Sequence, residues 1–545
     1  MTGSQRWGTR VGLVLAMAGN AVGLGNFLRF PAQAAQNGGG AFLIPYLVSF
    51  VLMGIPLLWV EWAIGRHGGQ YGHHSAPGMF DRMGPYRWLK YVGVFGLFTN
   101  LTVAAYYCYI ESWTLAYVWH SLVGTFREIA PTEFFPHYLG MHEGSVFAVP
   151  TQAFLWFLGT LALNVWILSR GLAKGIETAA KIGMPLLIVF GVVLAVRGLL
   201  LGPEDPGVVQ SPLAGLNFVW EPKPSGLLNP STWLAAAGQI FFTLSVGMGS
   251  IHCYAAYLKR EQDVALNAAS AGWMNEFVEV VLGGSILIPI ATAYLGLQAV
   301  QAATMSGSGF GLGFLTLPTL FNNWGWLAPI AGAMWFGLLF FAGITSSLAM
   351  GQPILAFLED EFGVRRARAA LTFGVATLLL GSVCVWLYPG GAFDEFDFWS
   401  GTFALVVFAL GEVFIFAWIF GMERGWQEIT RSADMNVPRV FRYVIQYVTP
   451  AFISVVFVGA LVKPVGRWGA ALRSVLAGEG WPLAPDSVIG KVLHVGDPQY
   501  QWFDAQGNFT NDFVQDATRI LLMLVFLACA ALVWRAWALK RRRTP

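Results

Sequence analysis

Apolar residues run along this chain in long stretches, at about 11–36, 41–65, 88–121, 153–169, 178–200, 232–257, 264–295, 326–357, 369–387, 398–421, 443–462 and 517–538. A helix that crosses a bilayer needs roughly 20 apolar residues. Stretches of that length, without two-residue alternation, predict helices rather than strands. In lipid a helix satisfies every backbone group within itself. The pattern therefore predicts an all-α membrane protein of about twelve transmembrane helices. The third, seventh and eighth stretches exceed the bilayer thickness and should tilt or project.

Composition agrees with this picture. The chain has 545 residues, 56% hydrophobic and 11% charged, against about 25% charged in a soluble domain. The net charge of +2 gives no basic surface for nucleic acid. The partner it implies is the lipid bilayer. Most of the 32 Lys and Arg residues fall on flanks that share one side. By the positive-inside rule that side is cytoplasmic, and an even helix number returns the C-terminus to it. The Arg541–Arg543 run reads as a membrane-side anchor. All four cysteines lie in apolar stretches, with no CxxC or Cys/His cluster, and read as packing residues. No cleavable signal is evident. The Gly-rich, apolar 304–325 segment reads as a loop with short helices that covers something. No separate soluble domain is evident, although the outer 463–516 loop is long.

Two spans are interrupted. The first reads GNAVGLGNFLRFP, from Gly19 to Pro31, and the sixth GQIFFTLSVGMGS, from Gly238 to Ser250. Glycine costs a helix about 1 kcal/mol relative to alanine. An unwound turn at mid-membrane depth frees backbone groups that lipid cannot satisfy. One such motif could simply let helices pack closely. Two of them, each opening a five-helix half, are the mark of an inverted-repeat transporter. The division expected is 1–202 for the first five-helix repeat and 203–422 for the second, inverted one. The 423–545 segment then holds two C-terminal helices. Freed amides at the breaks would attract a carboxylate, and freed carbonyls would suit a hard cation.

Several motifs carry a resemblance. AMAGNAVGLGNFLRFP (Ala16 to Pro31), NGGGAFLIPY (Asn37 to Tyr46), AAYYCYIESWTL (Ala104 to Leu115) and QIFFTLSVGMG (Gln239 to Gly249) resemble the neurotransmitter:sodium symporter family. So do MNEFVEVVLGGS (Met274 to Ser285), FFAGITSSLAMGQP (Phe340 to Pro353) and FDFWSGT (Phe396 to Thr402). The resemblance is closest to bacterial, leucine-transporting members and runs from Trp7 to about residue 460. The 463–516 loop departs, being much shorter in those members.

The resemblance implies two Na+ sites. The first would use the Ala21 carbonyl, the Asn26 and Asn275 amide oxygens and Thr243, completed by the substrate carboxylate. The second would use the carbonyls of Gly19, Val22 and Ala342 with the hydroxyls of Thr345 and Ser346. Read alone, Asn26 and Asn275 would also serve as interhelical hydrogen-bond glue, and Thr345 and Ser346 could bond back to the preceding turn. The substrate carboxylate would meet the Leu24 and Gly25 amides and the Tyr107 hydroxyl. Its amine would meet carbonyls of Ala21, Phe242 and Thr243, and Ser245. Val103, Tyr107, Phe242, Ser245, Met248 and Met350 would hold the side chain, with Ser346 nearby. Met248 replaces the phenylalanine, and Met350 the isoleucine, of the leucine-transporting members. Met adapts its shape, so a broad hydrophobic amino-acid range is expected.

Intramembrane charges are expensive and usually functional. By resemblance Arg29 and Asp397 form an outer gate with Phe242 as lid, while Trp7, Tyr257 and Asp360 belong to an inner gate. Ser4 occupies the position of the usual inner-gate arginine, and Arg6 is its candidate replacement. Glu279 stands where chloride-independent bacterial members place a carboxylate. Glu61 and Glu111 read as braces for the breaks, and His252 as a hydrogen-bonded structural histidine. The function implied is chloride-independent, sodium-coupled import of hydrophobic L-amino acids across a bacterial inner membrane, by alternating access. A homodimer is compatible with it. Alternatives are a sodium- or proton-coupled carrier of another solute on the same fold, or a transport-inactive sensor. No enzyme motif such as HExxH or GxSxG appears in the spans.

Overall fold

Ten of the twelve apolar stretches form helices long and apolar enough to cross a membrane, and the other two are broken. The computed structural model describes residues 7–142, 145–306 and 309–543. Among them there is no strand beyond two isolated bridges, Pro464 with Leu483 and Phe503 with Phe509. Helix α1 comes in three pieces, Arg10–Ala21, Leu24–Phe27 and Arg29–Gln36. It is followed by α2 (Gly40–Gly69), α3 (Leu89–Leu122), α4 (Thr151–Ser169) and α5 (Leu172–Leu199). Helix α6 has two pieces, Pro230–Leu244 and Ser250–Ala255. Then come α7 (Ala265–Leu295), α8 (Ala328–Phe362), α9 (Arg366–Trp386), α10 (Ala392–Thr430), α11 (Val440–Leu461) and α12 (Asn511–Arg541).

Burial sorts these helices. The most apolar windows of α3 and α7 are 89% buried, whereas that of α12 is 22% buried. Helices α3 and α7 therefore belong to the interior, and α12 shows most of its surface to lipid. All four cysteines are buried and unpaired.

The two breaks have different backbone causes. In α1 the chain leaves the helix at Val22 (ψ 101°) and runs extended through Gly23. In α6 it turns left-handed at Ser245 (φ 53°), Gly247 (φ 71°) and Gly249 (φ 92°). Side chains rarely adopt such φ values. At Gly247 a Cβ would also collide with the Leu405 carbonyl of α10. This position needs glycine twice over.

Two outer segments lie over this core. The Gly-rich segment forms short helices at Leu297–Ser306, Gly311–Thr316 and Leu317–Phe321. Its Gly309 packs against the Leu28 carbonyl, and the Gly313 carbonyl accepts from Trp335 Nε1 at 3.0 Å. It covers the outer part of α1. The long loop after α11 carries helices Trp468–Leu476 and Val488–Val492. It is pinned to α10 by Lys491, 3.2 Å from Glu395, which also meets Arg519 of α12 at 2.7 Å.

Candidate functional site: two broken helices around one cavity

The α1 break leaves carbonyls without their helical partners. In an unbroken helix the Gly19 carbonyl would take the Gly23 N–H and the Val22 carbonyl the Asn26 N–H. Here the Gly23 N–H donates to Asn26 Oδ1 at 2.8 Å, and the Asn26 N–H turns to the Gly23 carbonyl at 3.3 Å. What faces the freed carbonyls is Ser346 of α8. Its hydroxyl lies 3.2 Å from the Gly19 carbonyl, 3.4 Å from Val22 and 3.1 Å from Ala342. One hydroxyl proton faces three acceptors, so the cluster has acceptors to spare. Thr345 Oγ1 is 3.2 Å from the Ala342 carbonyl, and Gly19 packs directly on the Thr345 side chain. The five residues expected for a second ion site thus converge, and their donor set is all oxygen and uncharged. That chemistry suits a hard monovalent cation.

The residues expected for a first ion site meet beside it. Ala21, Asn26 and Thr243 line one cavity. Asn275 Oδ1 lies 2.8 Å from Asn26 Nδ2 and 3.3 Å from Thr243 Oγ1. Glu279 reaches the same group from a π-helical turn, Phe277–Gly283; such turns frequently mark functional sites. Its carboxylate accepts from Asn26 at 3.1 Å, from Gln239 at 2.6 Å and from the Thr243 hydroxyl. Glu279 is fully buried.

The cavity is a narrow one of about 20 Å³, wedged between the two breaks, α3 and α8. Every residue expected to hold substrate lines it except Leu24, and Gly23 and Gly401 join the lining. Its wall is polar at the breaks and apolar at Val103, Met248 and Met350. Tyr107 ties α3 to the first break, because its hydroxyl accepts the Leu24 N–H at 3.0 Å. Ser245 Oγ ties the breaks together by donating to the Asn20 carbonyl at 2.9 Å. Thr99 and Asn100 of α3 hold the Met248 carbonyl at 3.1 and 2.7 Å. Glu61 braces the second break by accepting the Gly247 N–H at 2.6 Å. Glu111 instead binds Asn164, joining α3 to α4.

The site is open at one end and closed at the other. A vestibule of about 230 Å³, lined by Leu24, Gln33, Phe310, Arg29 and Asp397 among others, meets the cavity at Gly25, Tyr107 and Phe242. The Phe242 ring packs on Gly25, where a Cβ would lie 2.7 Å from a ring carbon. Arg29 lies over that ring at 4.5 Å, and Asp397 accepts the Tyr106 hydroxyl at 2.7 Å. Arg29 and Asp397 thus form no ion pair here. At the other end Trp7 Nε1 donates to the Tyr254 carbonyl at 3.1 Å. Asp360 accepts the His74 N–H at 2.7 Å and lies 3.1 Å from His74 Nδ1. The His74 ring stacks on Tyr257, 4.3 Å between centroids, and the Tyr257 hydroxyl accepts from Gln352 at 2.8 Å. The partner of Asp360 among the described residues is therefore a histidine. Arg6 lies outside the described residues. His252 makes no hydrogen bond through either ring nitrogen, which corrects its reading as a hydrogen-bonded residue. Its position between two carboxylates is too polar for a merely packed ring.

The sequence model of the sodium:neurotransmitter symporter family matches residues 4–129 and 125–468. The chain belongs to this family. The symporter is 29% identical over 468 residues to an uncharacterized sodium-dependent transporter of Methanocaldococcus jannaschii, covering 84% of this chain and 90% of that protein. It is 25% identical over 509 residues to the sodium-dependent nutrient amino acid transporter 1 of Drosophila melanogaster, covering 84% and 77% of the two chains. Its fold is similar to the crystal structure of MhsT in complex with L-phenylalanine, with a TM-score of 0.71 and 30% identity over 84% of this chain and 99% of that one. Family membership makes the symporter a multi-pass, sodium-dependent transporter rather than an enzyme.

Proposed function

We propose that this symporter imports hydrophobic L-amino acids, aliphatic to aromatic, together with sodium and without chloride. The observation that carries the proposal is the junction of an acceptor-rich helix break with an apolar pocket. An amino acid needs both: polar backbone ends for its charged groups, and a wall such as Val103, Met248 and Met350 for its side chain. Similarity to a protein solved with L-phenylalanine supports an aromatic-tolerant range.

The carboxylate belongs on the Leu24 and Gly25 amides and the Tyr107 hydroxyl, and the amine on the Ala21, Phe242 and Thr243 carbonyls and Ser245. One Na+ belongs with Ala21, Asn26, Thr243 and Asn275, the other with Gly19, Val22, Ala342, Thr345 and Ser346. The substrate carboxylate completes the first set, so sodium and substrate raise each other's affinity. Residues 1–202 and 203–422 act as inverted repeats. Helices α1, α2, α6 and α7 rock against the others, with Arg29, Phe242 and Asp397 closing one end and Trp7, Tyr257 and Asp360 the other. Glu279 supplies the negative charge that a chloride would otherwise bring to the first sodium set.

The test is uptake of labelled leucine into proteoliposomes. Uptake should require a sodium gradient, persist when gluconate replaces chloride, and be competed by tryptophan and tyrosine. Uptake indifferent to sodium removes the proposal, and collapse without chloride removes the role given to Glu279.

A further inference from the structure

Behind the second break lies a cluster that the transport scheme above does not use. Glu61 of α2, His252 of α6 and Glu412 of α10 are each 0% exposed. One ligand-type atom from each lies within 4.8 Å of the others. His252 Nε2 is 3.3 Å from Glu412 Oε2, and Nδ1 is 3.8 Å from Glu61 Oε2. Neither ring nitrogen makes a hydrogen bond, no donor reaches either Glu412 oxygen or Glu61 Oε2, and the two carboxyls lie within hydrogen-bonding reach of each other. The ring is walled by Phe80 and Phe408, with centroids 5.9 and 5.8 Å away.

The charge balance does not close without a proton. Two carboxylates that share a buried site cannot both ionise without a cation, and a membrane interior adds to that cost. Among the described residues no other cation comes within ion-pair distance of either. Arg66, on the same helix as Glu61, is turned away and bonded to Glu428 at 2.9 Å. Asp360 of α8 is occupied by His74, and Arg366 of α9 by Glu359.

The three groups also sit on parts that move apart in the proposed cycle. Glu61 and His252 belong to the rocking helices and Glu412 to the stationary ones. Glu61 touches the pocket as well, through the Gly247 N–H next to Met248.

We propose that Glu61, His252 and Glu412 form a proton-binding site assembled when the Trp7 end is closed and taken apart when it opens. The inference rests on the rocking motion given above. A proton held more tightly in the closed arrangement favours that arrangement, so acid shifts the population toward it.

The test uses the full chain in lipid nanodiscs, spin-labelled at Val11→Cys on α1 and Arg368→Cys on α9. Val11 is 66% exposed and Arg368 is exposed, whereas the native cysteines are buried. Pulsed EPR reads the inner-end distance from about pH 8.5 to 5.5, with no amino acid present. One linked proton shifts the closed-to-open ratio by up to about tenfold per pH unit. The labelled chain should shift at least about tenfold over the range. His252→Leu and Glu412→Gln, each added separately, should shift less than about twofold. No pH response in the starting chain, or an undiminished one in either variant, overturns the proposal. A second arm adds sodium and leucine. If leucine leaves the distances unchanged while the pH response stands, the amino-acid reading fails and the proton site does not.

Discussion

Removing one oxygen, by Tyr107→Phe, tests how the site holds an amino acid. Tyr107 is buried, and its hydroxyl has two jobs. Without ligand it accepts the Leu24 N–H at 3.0 Å. With ligand, the proposed scheme has it donate to the substrate carboxylate while the Leu24 N–H turns to the same carboxylate. A hydrogen bond to a charged group contributes about 1.5–3 kcal/mol, and one between neutral groups about 0.5–1.5 kcal/mol. The variant loses the first in the bound form and the second in the free form, and the two losses partly offset. The net cost to binding is about 1–2 kcal/mol, or about five- to thirtyfold in affinity. The assay is equilibrium binding of labelled leucine to purified protein at saturating sodium. Competition by the amine that lacks leucine's carboxylate should differ less than about twofold between variant and parent. Equal losses for both ligands, or no loss for leucine, would refute the placement of the carboxylate.

Three further substitutions probe other parts of the molecule. At Gly23 a Cβ would lie 2.7 Å from the Tyr107 hydroxyl oxygen and 3.2 Å from Ser346 Oγ; overpacking of this kind costs about 1–3 kcal/mol. Gly23→Ala should therefore cut sodium-dependent leucine binding by about tenfold or more without preventing folding, and parental binding would show that neither hydroxyl's position matters. Met248→Phe fills the cavity wall with a rigid ring, so tryptophan should compete with leucine uptake about tenfold less well while leucine itself changes less than about threefold; retained tryptophan competition counts against Met248 as the residue that widens the range. Glu395→Gln leaves Arg519 and Lys491 without the buried carboxylate they share, and breaking a buried pair costs about 3–5 kcal/mol. Its apparent Tm in a size-exclusion thermal assay should drop clearly, and an unchanged Tm would mean that the outer loop is held by other contacts.

What the sequence made legible was local. The breaks show as glycine and polar residues inside apolar runs, and Asn26 and Thr243 lie in them, whereas Asn275, on α7, is reached only through the family resemblance. What it hid was pairing between distant helices. His74 and Asp360 are 286 positions apart, and the triad of Glu61, His252 and Glu412 draws on three helices. No periodicity records which helix faces meet, so a buried histidine reads the same whether it is packed or poised. The outer vestibule was hidden for the same reason, since its wall combines α1, α3, α6, α10 and the Gly-rich segment.

Counting donors against acceptors at the breaks explains what the site is for. Several N–H groups that the breaks release are already taken: Gly23 by Asn26, Leu24 by Tyr107, and Gly247 by Glu61. The freed Met248 carbonyl is doubly held by Thr99 and Asn100. The Gly19 and Val22 carbonyls are treated differently, since both depend on the one proton of Ser346, which also faces Ala342. A buried carbonyl left short of a donor costs free energy. A monovalent cation among these oxygens would remove that cost at the Gly19 and Val22 carbonyls together, at the point where the first helix has to bend. In the proposed scheme sodium here would stabilise the arrangement that also shapes the substrate pocket, and so would add to the coupling that the shared carboxylate makes at the first sodium set.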